Sequence, residues 1–160
     1  MEDNMSYVQI LVNTLQKQVE VLQNILELTR EQNKIAENTS FDEQLLDDTL
    51  NRKEILIARL NELDDGFVSV YERVRNEVVG QQERYKDQLL CLQDLIKQCT
   101  DLSVEIKVME ERNRTKLAQC FAKKHKEYGT QQTAASVASR YHQTMHNMQV
   151  VDSFFFNKKN

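Results

Sequence analysis

Proline is absent from this 160-residue chain, where ordinary usage would place about 8. Proline breaks a helix interior by removing an amide donor and clashing with the preceding turn, so its absence points to long, unbroken helices. Glycine is nearly as scarce. Gly66, Gly80 and Gly129 are the three present, too few for the turns of a β-sandwich or for a glycine-rich phosphate loop. Cys91, Cys99 and Cys120 are odd in number and form no CxxC pair. The opening stretch MEDNMSYVQI carries acids where a secretory leader would have a basic segment and an apolar run, so the thiols read as reduced, in a cytoplasmic protein. No apolar run approaches the roughly 20 residues needed to cross a bilayer, and no membrane insertion is expected.

What is present is 40% hydrophobic residues and a net charge of -4 that conceals an asymmetry. Up to Glu110 there are 12 Lys and Arg against 22 Asp and Glu, a net of -10; after it there are 9 against 3, a net of +6. Such a split suggests that the two parts meet different partners or each other. The basic stretch RNRTKLAQCFAKKHK holds a single aromatic, Phe121, and is preceded by an acidic body that would repel phosphate, which argues against nucleic acid as partner.

Periodicity supplies the architecture. Val8, Val12, Leu15, Val19, Leu22 and Leu26 are spaced alternately four and three apart, laying one apolar seam of seven-residue repeat along a helix. Leu11 and Ile25 widen that stripe beyond a two-stranded seam, so this helix is expected to touch more than one neighbour. It should fade at AENTS, where Asn38, Thr39 and Ser40 compete for backbone hydrogen bonds. A second helix is expected to start at SFDE, with Ser40 and Glu43 as a reciprocal capping box. Its stripe, Leu56, Leu60, Leu63, Phe67, Val70, Val74 and Val78, keeps phase through Gly66. That places Gly66 inside the helix and the turn at Gly80, giving rods of about 31, 38 and 45 residues. The third carries Tyr85, Leu89, Leu92, Ile96, Cys99, Ile106, Asn113, Leu117 and Cys120, with Ser103 and Glu110 standing where the repeat expects apolar residues. Asn113 either fixes register or lies where the bundle opens.

The fold expected is all-α: an antiparallel, coiled-coil-like bundle of three long helices over residues 1–130, followed by a shorter amphipathic helix and aromatic tail over 131–160. Ala134, Ala138, Tyr141, Met145 and Met148 make a narrow, adaptable face on that fourth helix. Phe154, Phe155 and Phe156 close the chain as a docking tail, because three exposed rings in water would invite aggregation.

No residue pattern suggests a catalytic grouping. His142 and His146 stand four apart but no HExxH or further ligand accompanies them, so no metal or other cofactor is expected. The acid pairs Asp47 and Asp48, Asp64 and Asp65, and Glu110 and Glu111 splay apart on a helix and read as solvated faces. Cys99 and Cys120 lie on the seam as small core residues, with no histidine alongside. The protein is not expected to be an enzyme.

The heptad helix, then FDEQLLDDTLNRKEILIARLNELDDGFVSVYERV, then a long helix ending EERNRTKLAQCFAKKHKEYG, resembles the FlgN and FliT type of flagellar export chaperone over about residues 5 to 130. RKEILIARLNELD looks like that family's lysine-rich second helix, ERNRTKL like its asparagine-containing third, and Tyr128 with Gly129 like a Tyr-Gly pair whose tyrosine is implicated in docking to the export gate. The resemblance implies a cytoplasmic, ATP-independent chaperone whose client is a hook-associated or filament-cap protein, held from premature polymerisation and handed to an export gate or export ATPase component. A client's terminal amphipathic helix would lie in a groove of the bundle. The partner-binding residues expected are Asn113 and Leu117 where the seam weakens, Tyr128, the face from Ala134 to Met148, and the Phe154 to Phe156 tail. The competing expectation is a coiled-coil adaptor or scaffold with no secretion client, and a homodimer is compatible with either.

Overall fold

The computed structural model describes residues 5–128 and, beyond them, Ser139 and Gln143. Three helices fill it: α1 (Tyr7–Glu37), α2 (Glu43–Val78) and α3 (Lys86–Tyr128). Their lengths of 31, 36 and 43 residues fall within two residues of those expected, and no strand occurs among the described residues. The amphipathic segment and the aromatic tail lie outside the described residues.

Cross-helix partners fix the directions. Gln18 of α1 meets Asp64 of α2, while Gln32 meets Thr49, so α1 and α2 run antiparallel. Gln9 meets Gln88 and Asn33 meets Asn113 at nearly constant offsets of 79 and 80, so α1 and α3 run parallel. The topology is up-down-up. α1 packs along both other helices, whereas the α2 and α3 backbones do not approach each other among the described residues. This is why the stripe on α1 is wide: Leu11, Val12, Gln18, Val21, Ile25 and Leu28 are all buried along with the seam.

Local chemistry sets the ends. Ser6 caps α1 by accepting from the Gln9 amide at 3.1 Å. A second cap comes from the far end of α2, where the Glu77 carboxylate accepts from the Val8 amide at 3.0 Å and the Tyr7 amide at 3.4 Å, satisfying donors that a first helical turn leaves unpaired. α1 stops where expected, at Glu37. The start of α2 differs from the capping box anticipated at Ser40. The Ser40 amide donates instead to Asn38 Oδ1 at 2.9 Å, and Asp42 is the cap, accepting from the Gln44 and Leu45 amides. A carboxylate is the stronger acceptor at a site where the helix dipole also favours negative charge. Gly66 lies within α2, and Gly80 makes the turn with φ of 77°.

The main core joins Val8, Leu15, Leu22 and Ile25 of α1 to Ile57, Leu60 and Phe67 of α2 and to Leu92, Cys99 and Ile106 of α3. Burying each large side chain contributes about 1.5 to 3 kcal/mol before ordering costs. A smaller cluster of Ala36, Leu46, Leu50 and Leu117 closes the end at the α1–α2 turn. On α2 the buried strip is rotated from the expected seam. Leu56, Leu63, Val70 and Val78 are partly buried, while Lys53, Ile57 and Asp64 are taken inward, because α2 packs on a helix that is itself flanked by α3. Asp64 and Glu110 therefore do not belong to solvated faces, as the adjacent acid pairs had suggested; both are buried and partnered.

Gly66 has no atom within 4 Å of where a Cβ would stand, and its backbone is helical. Gly66→Ala should therefore raise stability by about 1 kcal/mol. Gly80→Ala, forced into the left-handed region, should lower it by about 1 to 2 kcal/mol. Urea melts of the two variants check both signs.

Candidate functional site

The end of the molecule carrying the α1–α2 turn is where charge, space and polar burial coincide. Because α3 runs parallel to α1 at an offset near 80, its residues beyond about 118 extend past the C-terminus of α1. A cleft of about 510 Å³ forms between this extension and the turn, lined by Ala36, Phe41 and Cys120, by Lys116, Lys123 and Lys124, and by the polar residues of the turn from Glu37 to Ser40. Phe41 and Phe121 meet edge to face, centroids 5.6 Å apart, and hold the turn against α3. Lys116 pairs with Glu37. The Cys120 thiol donates to the Ala36 carbonyl at 3.3 Å, capping a carbonyl that the end of α1 leaves unpaired.

Beneath the cleft lies a polar network that joins all three helices. Lys53 of α2, 0% exposed, pairs with Glu110 of α3, 2% exposed. The Lys53 ammonium also donates to Gln32 Oε1 at 2.9 Å, and Gln32 Nε2 donates to the Thr49 hydroxyl at 3.1 Å. Thr49 in turn donates to the Leu46 carbonyl. On the other side, the Thr29 hydroxyl donates to the Ile25 carbonyl and lies 3.3 Å from Glu110. Asn113 donates to the Thr29 carbonyl at 2.9 Å and accepts from Asn33 at 2.8 Å. Burial pulls the Lys53 pKa below the usual lysine range, and the Glu110 carboxylate opposes that pull.

These geometries reassign several residues. Ser103 and Glu110, which stand where the repeat expects apolar residues, are buried, and so is Asn113, which is tied to α1 through Asn33 and Thr29. Leu117 also points inward, into the small cluster with Ala36, Leu46 and Leu50. Neither Asn113 nor Leu117 presents surface to a partner. Tyr128 is the last residue of α3. Ala134, Ala138, Tyr141, Met145, Met148, Phe154, Phe155 and Phe156 lie outside the described residues, as do His142 and His146. Sequence reasoning missed Lys53, Thr29 and Gln32. Lys53 was detectable, since it stands one heptad before Leu60 on α2, in phase with the seam, as Glu110 is on α3.

Burial raises the Cys120 thiol pKa despite Lys123, and pushes the Cys99 thiol up to about 12, so both are donors or fillers and poor nucleophiles. Among the described residues no three His, Cys, Asp or Glu side chains converge on a common point where a metal could sit, and no helix is long and apolar enough to cross a membrane. No family model, curated protein or solved structure matches the chain.

Lys53→Met leaves Glu110 buried without its cation and should cost about 3 to 5 kcal/mol. Adding Glu110→Leu to it should recover most of that loss, since an apolar pair of similar size avoids desolvating two charges. A double-mutant cycle in denaturant melts gives the coupling.

Proposed function

We propose that the protein is a flagellar-type export chaperone that holds the terminal amphipathic helix of a hook-associated or filament-cap protein in the cytoplasm and presents it to an export gate or export ATPase component. The observation that carries this reading is the cleft at the α1–α2 turn, where Ala36, Phe41 and Cys120 stand beside Lys116, Lys123 and Lys124 and the polar residues of the turn. An amphipathic helix with apolar residues on one face and carboxylates beside them complements both parts of that surface. The resemblance to FlgN and FliT proteins supports the same reading, as do the methionine and phenylalanine positions of residues 129–160, which are expected to add contacts. Tyr128, with Gly129 after it, is assigned here to the gate contact.

A second reading, a coiled-coil adaptor without a client, is favoured by Leu90, Val104 and Val108, which stand exposed on α3. Val104 and Val108 are one turn apart and Leu90 lies two heptads before Val104, so together they make an outward apolar row suited to self-association.

Co-purification with axial proteins from the same cell, followed by mass measurement in solution, separates the two. The chaperone reading expects a stoichiometric complex with one secreted protein, lost when that client's terminal helix is deleted. Lys116→Glu with Lys123→Glu should weaken it by about tenfold or more, with a marked salt dependence. A constant elongated dimer that retains no axial protein would establish the adaptor instead.

A further inference from the structure

Midway along the bundle, a second polar contact is built on different lines from the Lys53 site. Gln18 of α1 is 0% exposed and Asp64 of α2 is 8% exposed. Gln18 Nε2 donates to Asp64 Oδ1 at 2.9 Å, yet Gln18 Oε1 is buried with no hydrogen-bond partner among the described residues. A buried acceptor left unpaired is costly. An ionised carboxylate cannot relieve it, because it has no proton to donate.

We infer that Gln18 and Asp64 form a proton-dependent clasp between α1 and α2. On taking up a proton from solvent, the Asp64 carboxyl gains an O–H that donates to Gln18 Oε1, while Gln18 Nε2 continues to donate to Oδ1. The carboxylic acid and the primary amide then match donor to acceptor on both sides. The same proton that removes a buried charge also pairs the amide oxygen.

The surroundings favour the neutral acid. From α1 the facing group is the uncharged Gln18, and from α3 it is the Cys99 thiol, whose own ionisation the Asp64 charge opposes. On α2 the neighbouring Asp65 is a like charge. Burial pushes the Asp64 pKa up to about 6, with the Gln18 bond pulling against it and Asp65 adding to it. A pKa raised above the unfolded value of 3.8 means a stabilising contribution that is complete below the unfolded pKa and is lost as pH rises through the folded one. The α1–α2 contact is therefore tighter in mild acid and looser towards neutrality. The Lys53 site is built differently, since its acid already lies against a cation.

Asp64→Asn tests the clasp, because an asparagine amide can donate to Gln18 Oε1 and accept from Gln18 Nε2 without a titrating proton. In the full chain, the melting temperature of the variant minus that of the parent should grow by on the order of 5 °C between about pH 5 and about pH 7.5. Carbon-13 NMR of the parent's Asp64 carboxyl should titrate with a midpoint near 6, and the Gln18 side-chain amide protons should shift with the same midpoint. A difference in melting temperature that stays constant with pH overturns the clasp. So does an Asp64 midpoint near 4, or a Gln18 amide that does not follow the carboxyl; the titration of the parent decides the matter even if the variant fails to fold.

Discussion

The ion pair between Lys53 and Glu110 is the contact on which the arrangement of three helices depends. The α2 and α3 backbones stay apart among the described residues, so the relation between these two helices is set through α1 and through side chains long enough to reach across. Lys53 and Glu110 meet over α1, which supplies Gln32 to the ammonium and Thr29 beside the carboxylate. Heptad seams repeat, and a slide of one helix by seven residues would still place apolar residues opposite apolar residues. The same slide would strand a lysine and a glutamate in the core without each other. A buried pair is a weak source of net stability but a strong penalty on every wrong register.

The two polar layers solve the problem of burial in opposite ways. Near the α1–α2 turn, charge is kept and neutralised by a partner, and most surrounding polar groups are threaded into one chain of donors and acceptors from Lys53 to the Leu46 carbonyl. At mid-bundle, around Gln18, Asp64 and Cys99, no cation is supplied and one amide oxygen is left over. The second layer is the one that the inferred clasp makes sensitive to pH. Polar core residues thus specify register at one level and respond to solution conditions at another.

Much of the fold could be read from hydrophobic spacing because spacing reports what each helix must bury. The continuity of α2 through Gly66 and the turn at Gly80 followed from where the repeat kept phase, and the end of α1 from the competition of Asn38, Thr39 and Ser40 for its backbone hydrogen bonds. The width of the α1 stripe, signalled by Leu11 and Ile25, announced two neighbours. What spacing cannot report is pairing between polar residues on different helices. Asp64 and Glu110 looked like surface acids because each has another acid beside it; their burial depends on the relative level of three helices. Asp42 displaced Ser40 as the cap for a related reason, since Asn38 had already engaged the Ser40 amide. The stretches RKEILIARLNELD and ERNRTKL contribute Lys53, Asp64 and Asn113 to these buried contacts, so the likeness they carry speaks first to how the helices pack. Of the site, the basic lining was foreshadowed by the charge split after Glu110, whereas the inward placement of Asn113 and Leu117 was not.

Glu77 has a consequence of its own. Its carboxylate serves the first turn of α1 from the last turn of α2, at the opposite end of the bundle from the ion pair. The separation along α1, from Val8 to Thr29, is about 30 Å at 1.5 Å per residue. Each extremity is thus fastened by its own electrostatic contact, with hydrophobic layers and the Gln18–Asp64 contact between them. Such a rod can fray from either end without disturbing the other, and amide hydrogens at Tyr7 and Val8 would exchange with solvent through a different opening event from those around Thr29. The bundle then behaves as two coupled units sharing a spine, and a partner engaged at the cleft would protect one of them while leaving the other to its own equilibrium.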